Sequence, residues 1–396
     1  MSEKRRVKLG LIGLGNMGSA HANYLKDMDT VELVGVCDIV PEKADKFAAL
    51  CYTKAYYDYR DLFKDSGLEA VLIAVPHYDH TPISVDAFKQ GIHVLCEKPL
   101  AVHVNDAKKS IKAYEEAKEK NPNIMFGLMF MERTYPAYRK IKDILDSGEL
   151  GKLTRVTWIN TAWFRSQAYY DSGGWRATWA GEGGGILTNQ CPHNLDMYQW
   201  LFGLPSKICG HAHIGKYHDI EVEDEVTAYF EHENGMIGHF IVTTAESPGT
   251  NRLEIIGENG KLVYENGMIV FFRNRISMFK FLRETKESFA NVESWYTEIP
   301  IQGSIGNPHK KVTEEFIRAI LNGGGNLTAH GTEGIKSVLI ANAIMLSSFK
   351  GTMIDVPSFD ADEYENKLKE LIKTSRYVKK VNTDATVDMS QSFSKG

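Results

Sequence analysis

The chain of 396 residues is short of cysteine, of long apolar runs and of concentrated positive charge. Its five cysteines, Cys37, Cys51, Cys96, Cys191 and Cys209, are an odd number with neither a CxxC pair nor a zinc-ribbon spacing. That pattern excludes a disulfide framework and a dithiol redox site, and reads as reduced thiols in a cytoplasmic protein. No apolar run approaches the length of a membrane span, and the opening apolar stretch from Val7 is broken by glycine too early for a signal peptide. Lysine and arginine number 46 against 51 acidic residues, and the longest basic block is Lys4-Arg5-Arg6, so nothing points to nucleic acid. The histidines show no metal-ligand spacing, and no metal is expected. Repeats and low-complexity linkers are also missing. With 43% hydrophobic and 24% charged residues, the composition is that of a folded globular chain long enough for two domains.

The glycines fall where they carry chemistry. In VKLGLIGLGNMGSAHANYLKDM an apolar strand, Val7 to Ile12, meets Gly13-Leu14-Gly15-Asn16-Met17-Gly18, and Ala20, Ala22, Tyr24 and Leu25 continue as a helix. Gly13 permits the tight turn, Gly15 lets the backbone approach a pyrophosphate, and Gly18 lets the helix pack against the strand. The helix N-terminus then offers unpaired N–H groups and the positive end of its dipole. GxGxxG alone is a weak signal, and its context strengthens it. The next strand, Val31 to Cys37, ends on Asp38, 20 positions beyond Gly18. A carboxylate there accepts from both hydroxyls of an adenosine ribose and repels a 2′-phosphate, and Ile39 follows in place of a phosphate-binding arginine. NAD is therefore expected over NADP.

Strands and helices go on alternating. The strand Ala70 to Val75 closes at Pro76, His77-Tyr78-Asp79-His80 and a helix from about Thr81 to Gln90 follow, and the strand Ile92 to Cys96 delivers Glu97, Lys98 and Pro99. This predicts an N-terminal Rossmann domain over residues 1–130, an α/β doubly wound parallel sheet. Ligands of such sheets lie across the carboxyl ends of the strands, where Asp38, Pro76, His80 and Lys98 emerge. From Lys152 the pattern changes to extended runs with turns at Asn234-Gly235, Asn259-Gly260 and Asn266-Gly267. An α+β domain with a large, mostly antiparallel sheet is expected over 131–360, followed by a polar helix and tail over 361–396.

Two further segments carry candidates. In GGGILTNQCPHNLDMYQWLFG, Asn189 and His193 are four apart and would share a helix face, although Pro192 interrupts a continuous helix. Between Trp158 and Trp179, aromatic residues including Trp163, Tyr169 and Trp175 interleave with Arg165, Gln167 and Arg176. That mixture suits a pyranose, whose apolar C–H faces meet rings while its hydroxyls meet polar groups.

GLGNMG, CEKPLA, SGELGKL and the GGGILTNQCPHNLD segment together resemble the glucose-fructose oxidoreductase/inositol dehydrogenase/rhizopine catabolism (Gfo/Idh/MocA) family, in the right order from about Val7 to Pro357. The resemblance implies hydride transfer between a hydroxyl-bearing carbon of a sugar or cyclitol and NAD. It makes Lys98 the lysine that hydrogen-bonds the reacting hydroxyl, His193 the residue that takes or relays its proton, and Asn189 a third catalytic residue that orients the imidazole or a substrate hydroxyl. Many members carry aspartate at position 189, and an amide cannot neutralise an imidazolium, so His193 is the expected base. The implied cofactor contacts are Gly13, Gly15, Asn16, Met17, Gly18, Asp38, Pro76, His80, Glu97, Lys98, Trp175 and Arg176. The substrate contacts are Lys98, Trp163, Arg165, Asn189 and His193, with a neutral sugar ring or glycoside expected over an inositol or a sugar acid. An inositol dehydrogenase, an NAD-retaining glycoside-cleaving or epimerising enzyme and a non-catalytic dinucleotide sensor stay open. By the same resemblance the chain forms a dimer or tetramer. Asn189→Asp is expected to be tolerated.

Overall fold

The computed structural model describes residues 5–381. Six short apolar strands, β1 (Val7–Ile12), β2 (Val31–Cys37), β3 (Lys54–Tyr56), β4 (Ala70–Ile73), β5 (His93–Cys96) and β6 (Phe126–Leu128), form a parallel sheet in the order β3-β2-β1-β4-β5-β6. The order reverses beside β1, whose neighbours are β2 and β4. That reversal opens a crevice at the carboxyl ends of the strands. β4 is buried along its whole length, as a strand covered on both faces must be.

The second sheet contains nine strands: β7 (Leu153–Asn160), β8 (Lys207–Ile214), β9 (Glu223–Glu231), β10 (Ile237–Thr243), β11 (Asn251–Gly257), β12 (Gly260–Glu265), β13 (Met268–Asn274), β14 (Ser294–Ile299) and β15 (Ile354–Asp355). Their order is β14-β13-β12-β11-β7-β10-β9-β8-β15, antiparallel except where β10 pairs with β7. Val226, Ala228 and Phe230 point alternately from β9 into the core with Trp158, Phe240 and Leu253. The helix Gly334–Lys350 lies on β8 and carries a nearly all-apolar buried run.

The chain does not leave the first sheet for good at residue 130. The helix Pro308–Leu321 returns to it and sets Val312, Phe316, Ile317 and Ile320 among Leu9, Leu11, Val36 and Leu95. The helix Ala361–Thr374, read from sequence as polar, docks one face through Ala361, Tyr364 and Leu368. The tail expected beyond residue 381 lies outside the described residues. No helix among the described residues is long and apolar enough to cross a membrane.

Candidate active site

A cavity of about 940 Å³ runs along the carboxyl ends of the first sheet and ends against the second sheet's approach segments. Gly13, Gly15, Asn16, Met17 and Asp38 line one end, and Lys98, Trp163, Arg165, Asn189 and His193 line the other. The glycine loop leaves space for a dinucleotide. A Cβ on Gly15 would meet nothing within 4 Å, so this backbone faces open cavity, whereas a Cβ on Gly18 would lie 1.8 Å from the Gly13 carbonyl oxygen. Gly13 has φ +89°, a conformation closed to most side chains. The helix Asn16–Leu25 has no side-chain cap, which leaves its first N–H groups for an anion. Asp38 accepts from Leu14 N at 2.8 Å and from Val40 N at 2.9 Å, so it closes the loop and faces the cavity at the ribose position. These residues fit NAD.

At the other end, Lys98 Nζ donates to the Asn189 carbonyl at 2.8 Å. Burial lowers the Lys98 pKa, Glu97 opposes that loss, and Arg176 adds to it. Glu97 is a buried anion. Burial works against its charge, but the hydrogen bond from His21 at 2.8 Å, with the charges of His21, His309 and Lys98, holds it at about 2. His193 is 4% exposed, edge-on to Phe130, with no partner on Nδ1 among the described residues. Burial and the nearby Lys98 and His309 hold its pKa well below the ordinary imidazole value. The ring is thus neutral near pH 7 and able to take a proton.

Asn189 and His193 do not share a helix. The helix starts at Pro192, where a missing N–H costs nothing, and Asn189 sits in the preceding turn, its N–H bonded to Gly185 O. The Asn189 amide donates to the carboxylate of buried Glu182 and to Tyr169 at 3.3 Å. Glu182 also accepts from Ala177 N at 2.7 Å and lies 4.0 Å from Arg176.

Trp175 and Arg176 stack, guanidinium to ring centroid 4.6 Å, and Arg176 lies at the same distance over Tyr169. Arg165 covers Trp163 and Tyr169 at 5.6 and 5.2 Å. Pro76, Glu97, Trp175 and Arg176 all line the cavity, as expected. Two expected contacts do not. Gly18 is packed into the strand–helix contact, and His80 is buried behind the wall with Nδ1 2.7 Å from Pro99 O and Nε2 3.0 Å from Val75 O. His80 sits between the Pro99 carbonyl, just past Lys98, and the Val75 carbonyl, just past β4; a neutral ring donates to one of them, and the position keeps it from a ligand. Sequence reasoning passed over His77, whose Nδ1 lies 3.0 Å from Glu182 O and whose ring meets Trp175 edge-on. It also passed over Tyr169 as a site residue, Gln190 and His309, all of which line the cavity. Tyr169 stood within the aromatic segment, but nothing local pointed to the other two. Among the described residues no cluster could hold a metal ion.

Family profiles match both sheets: the "Oxidoreductase family, NAD-binding Rossmann fold" over residues 7–122 and the "GFO/IDH/MocA C-terminal domain" over residues 138–263. The inositol 2-dehydrogenase of Salmonella typhimurium is 39% identical over 151 residues, which span 37% of this chain and 43% of that protein. The levoglucosan dehydrogenase of Pseudarthrobacter phenanthrenivorans is 26% identical over 404 residues, 90% of this chain and all of the relative. Among solved structures, the WlbA dehydrogenase from Bordetella pertussis in complex with NADH and UDP-GlcNAcA superposes with a TM-score of 0.74 at 24% identity, covering 90% of this chain and 100% of that one. Levoglucosan dehydrogenase with NADH and levoglucosan gives 0.73 at 24%, covering 89% and 100%. With both profiles in chain order on the two sheets that build one cavity, the chain belongs to the GFO/IDH/MocA oxidoreductase family.

Proposed function

We propose that the protein is an NAD-dependent dehydrogenase that oxidises a secondary hydroxyl of a sugar or glycoside. The observation that carries this reading is the pairing of a half-buried lysine, Lys98, with a buried neutral imidazole, His193, in the cavity that continues to the glycine loop. NAD, when bound, supplies the hydride acceptor. The chain supplies the rest. Lys98 donates to the substrate oxygen and stabilises it as its proton leaves, and His193 takes that proton. Glu97 keeps positive charge on Lys98, and Asn189 holds the ammonium through its carbonyl. Trp163 covers an apolar ring face and Arg165 meets hydroxyls, while Trp175 and Arg176 stand toward the cofactor.

Similarity along 90% of the chain to levoglucosan dehydrogenase supports a sugar ring, and the 39% identity over 151 residues to inositol 2-dehydrogenase favours a cyclitol as the second reading. Turnover of D-glucose, methyl glucosides, levoglucosan, glucuronic acid and myo-inositol with NAD, followed by NADH absorbance, separates these. Sustained NADH formation with a pyranose is the expected result. Oxidation of myo-inositol alone would select the cyclitol reading, and oxidation of glucuronic acid alone would overturn the neutral-sugar choice. A single burst equal to the enzyme concentration would mean retained NAD, and no turnover with retained NADH affinity would mean a sensor. The same proposal includes a cytoplasmic location and a homo-oligomer formed through the second sheet, where Trp295 and Tyr296 of β14 are 52% and 59% exposed.

A further inference from the structure

The hydroxyl of Tyr169 meets more donors than it has lone pairs. Arg176 Nη1 donates to it at 2.7 Å, Gln190 Nε2 at 3.2 Å and Asn189 Nδ2 at 3.3 Å. A phenol oxygen has two lone pairs and one proton of its own. Arg176 can only donate. The Asn189 amide cannot turn over, because the same NH2 group faces the Glu182 carboxylate. Gln190 is the remaining partner. Its Oε1 is buried with no partner among the described residues, and rotating the amide would send both N–H donors into that position. The Tyr169 ring is clamped by two guanidinium groups and set edge-on to Tyr170 at 5.3 Å, so the hydroxyl stays in place. Its proton is left with one direction, the cavity that Tyr169 lines.

Asn189 fixes where that direction leads. Its carbonyl accepts from Lys98 and its amide donates to Tyr169, so a single residue spaces the two substrate-facing groups. We infer that Tyr169 donates a hydrogen bond to a substrate oxygen on a carbon next to the one oxidised, and that this contact determines which hydroxyl or ring-oxygen arrangement the enzyme accepts. The inference deepens the carbohydrate reading of the cavity and rests on it.

Tyr169→Phe keeps the ring and removes the hydroxyl. The substrate is whichever compound of the carbohydrate panel the wild type oxidises best, together with its monodeoxy analogues. The wild type is expected to prefer the parent over one adjacent deoxy analogue by roughly tenfold in kcat/KM. In Tyr169→Phe that preference falls to within about twofold, while NADH affinity by fluorescence titration stays within about twofold. Undiminished preference against every analogue overturns the inference, as does a parallel loss of NADH affinity, which would make Tyr169 a packing hub. Gln190→Met removes the one alternative acceptor and should leave the wild-type preference in place. A preference that arises only in Gln190→Met would mean that Gln190 takes the proton, and the inference fails. If the wild type oxidises no compound of the carbohydrate panel, the carbohydrate reading falls first and this inference with it.

Discussion

Asn189→Asp is conservative in sequence and disruptive in this fold. Asn189 and Glu182 are 8% and 1% exposed, and the amide donates directly to the carboxylate. Replacing it with aspartate sets two carboxylates against each other out of water. Two like charges about 4 Å apart repel by about 4 kcal/mol at an effective dielectric of about 20, so the pair keeps one proton. Burial already raises the Glu182 pKa, with Arg176 and the Ala177 N–H opposing. A carboxyl that holds its proton longer in the folded than in the unfolded state stabilises the fold below its unfolded pKa. That stability is lost as pH rises through the folded value. The Tm of Asn189→Asp, measured by calorimetry from about pH 5 to about pH 9, should start near wild type and fall progressively below it as pH rises, by several degrees. Adding Glu182→Gln gives the introduced carboxylate a donor and should remove the pH-dependent part of the deficit. The expectation of tolerance is thus reversed. A deficit that does not change with pH, or a double variant no better than the single one, would refute the reasoning.

Lys98→Ala should lower kcat by roughly a hundredfold or more while NADH affinity changes by less than about threefold, and His193→Ala should resemble it. Near-wild-type turnover in either would remove that residue from the chemistry. In kcat/KM for sugar oxidation the acid limb should lie well below pH 6.5, because burial keeps His193 unprotonated there, and the alkaline limb should lie below the ordinary lysine value. Lys98→Arg should abolish the alkaline limb, since a guanidinium does not titrate in that range, and a limb that persists belongs to another group. Asp38→Ala should weaken NAD roughly tenfold and narrow its advantage over NADP, measured by kcat/KM with each cofactor; an unchanged ratio would move the ribose contact elsewhere.

Local pattern carried most of the fold. GLGNMG between an apolar strand and a helix became the turn between β1 and the helix Asn16–Leu25, and the alternation along DEVTAYFE became β9. Asn266-Gly267 forms the two-residue loop between Glu265 and Met268, with φ +51° and +73°, as an Asn-Gly hairpin requires. Asn259-Gly260 behaves differently. Gly257 pairs with Gly260, so Glu258 and Asn259 turn the chain and Gly260 opens β12, where a Cβ would lie 2.1 Å from Phe272 O. A dipeptide signal marks a turn without fixing register, which depends on the partner strand. The return of the helix Pro308–Leu321 to the first sheet was illegible for a similar reason. Its apolar face is readable at local range, but the residues it covers, from Leu9 to Leu95, lie about 220 to 310 positions earlier in the chain.

The site divides the same way. Residue types came from motifs, but their charge states come from partners that only folding supplies. His193 is buried and Lys98 half-buried, and loss of water pushes both toward neutrality. Glu97 separates them. Held anionic by His21, a residue 76 positions away, it opposes the loss of charge on its neighbour Lys98. At His193 the favourable charge of Glu97 is outweighed by burial and by the positive charges of Lys98 and His309. One buried carboxylate therefore keeps the lysine a cation beside an imidazole that stays neutral, and a donor and a base can face the same oxygen at the same pH. His21 and His309 stand in no motif, yet the first holds Glu97 anionic beside the EKP lysine and the second helps to keep the downstream histidine neutral.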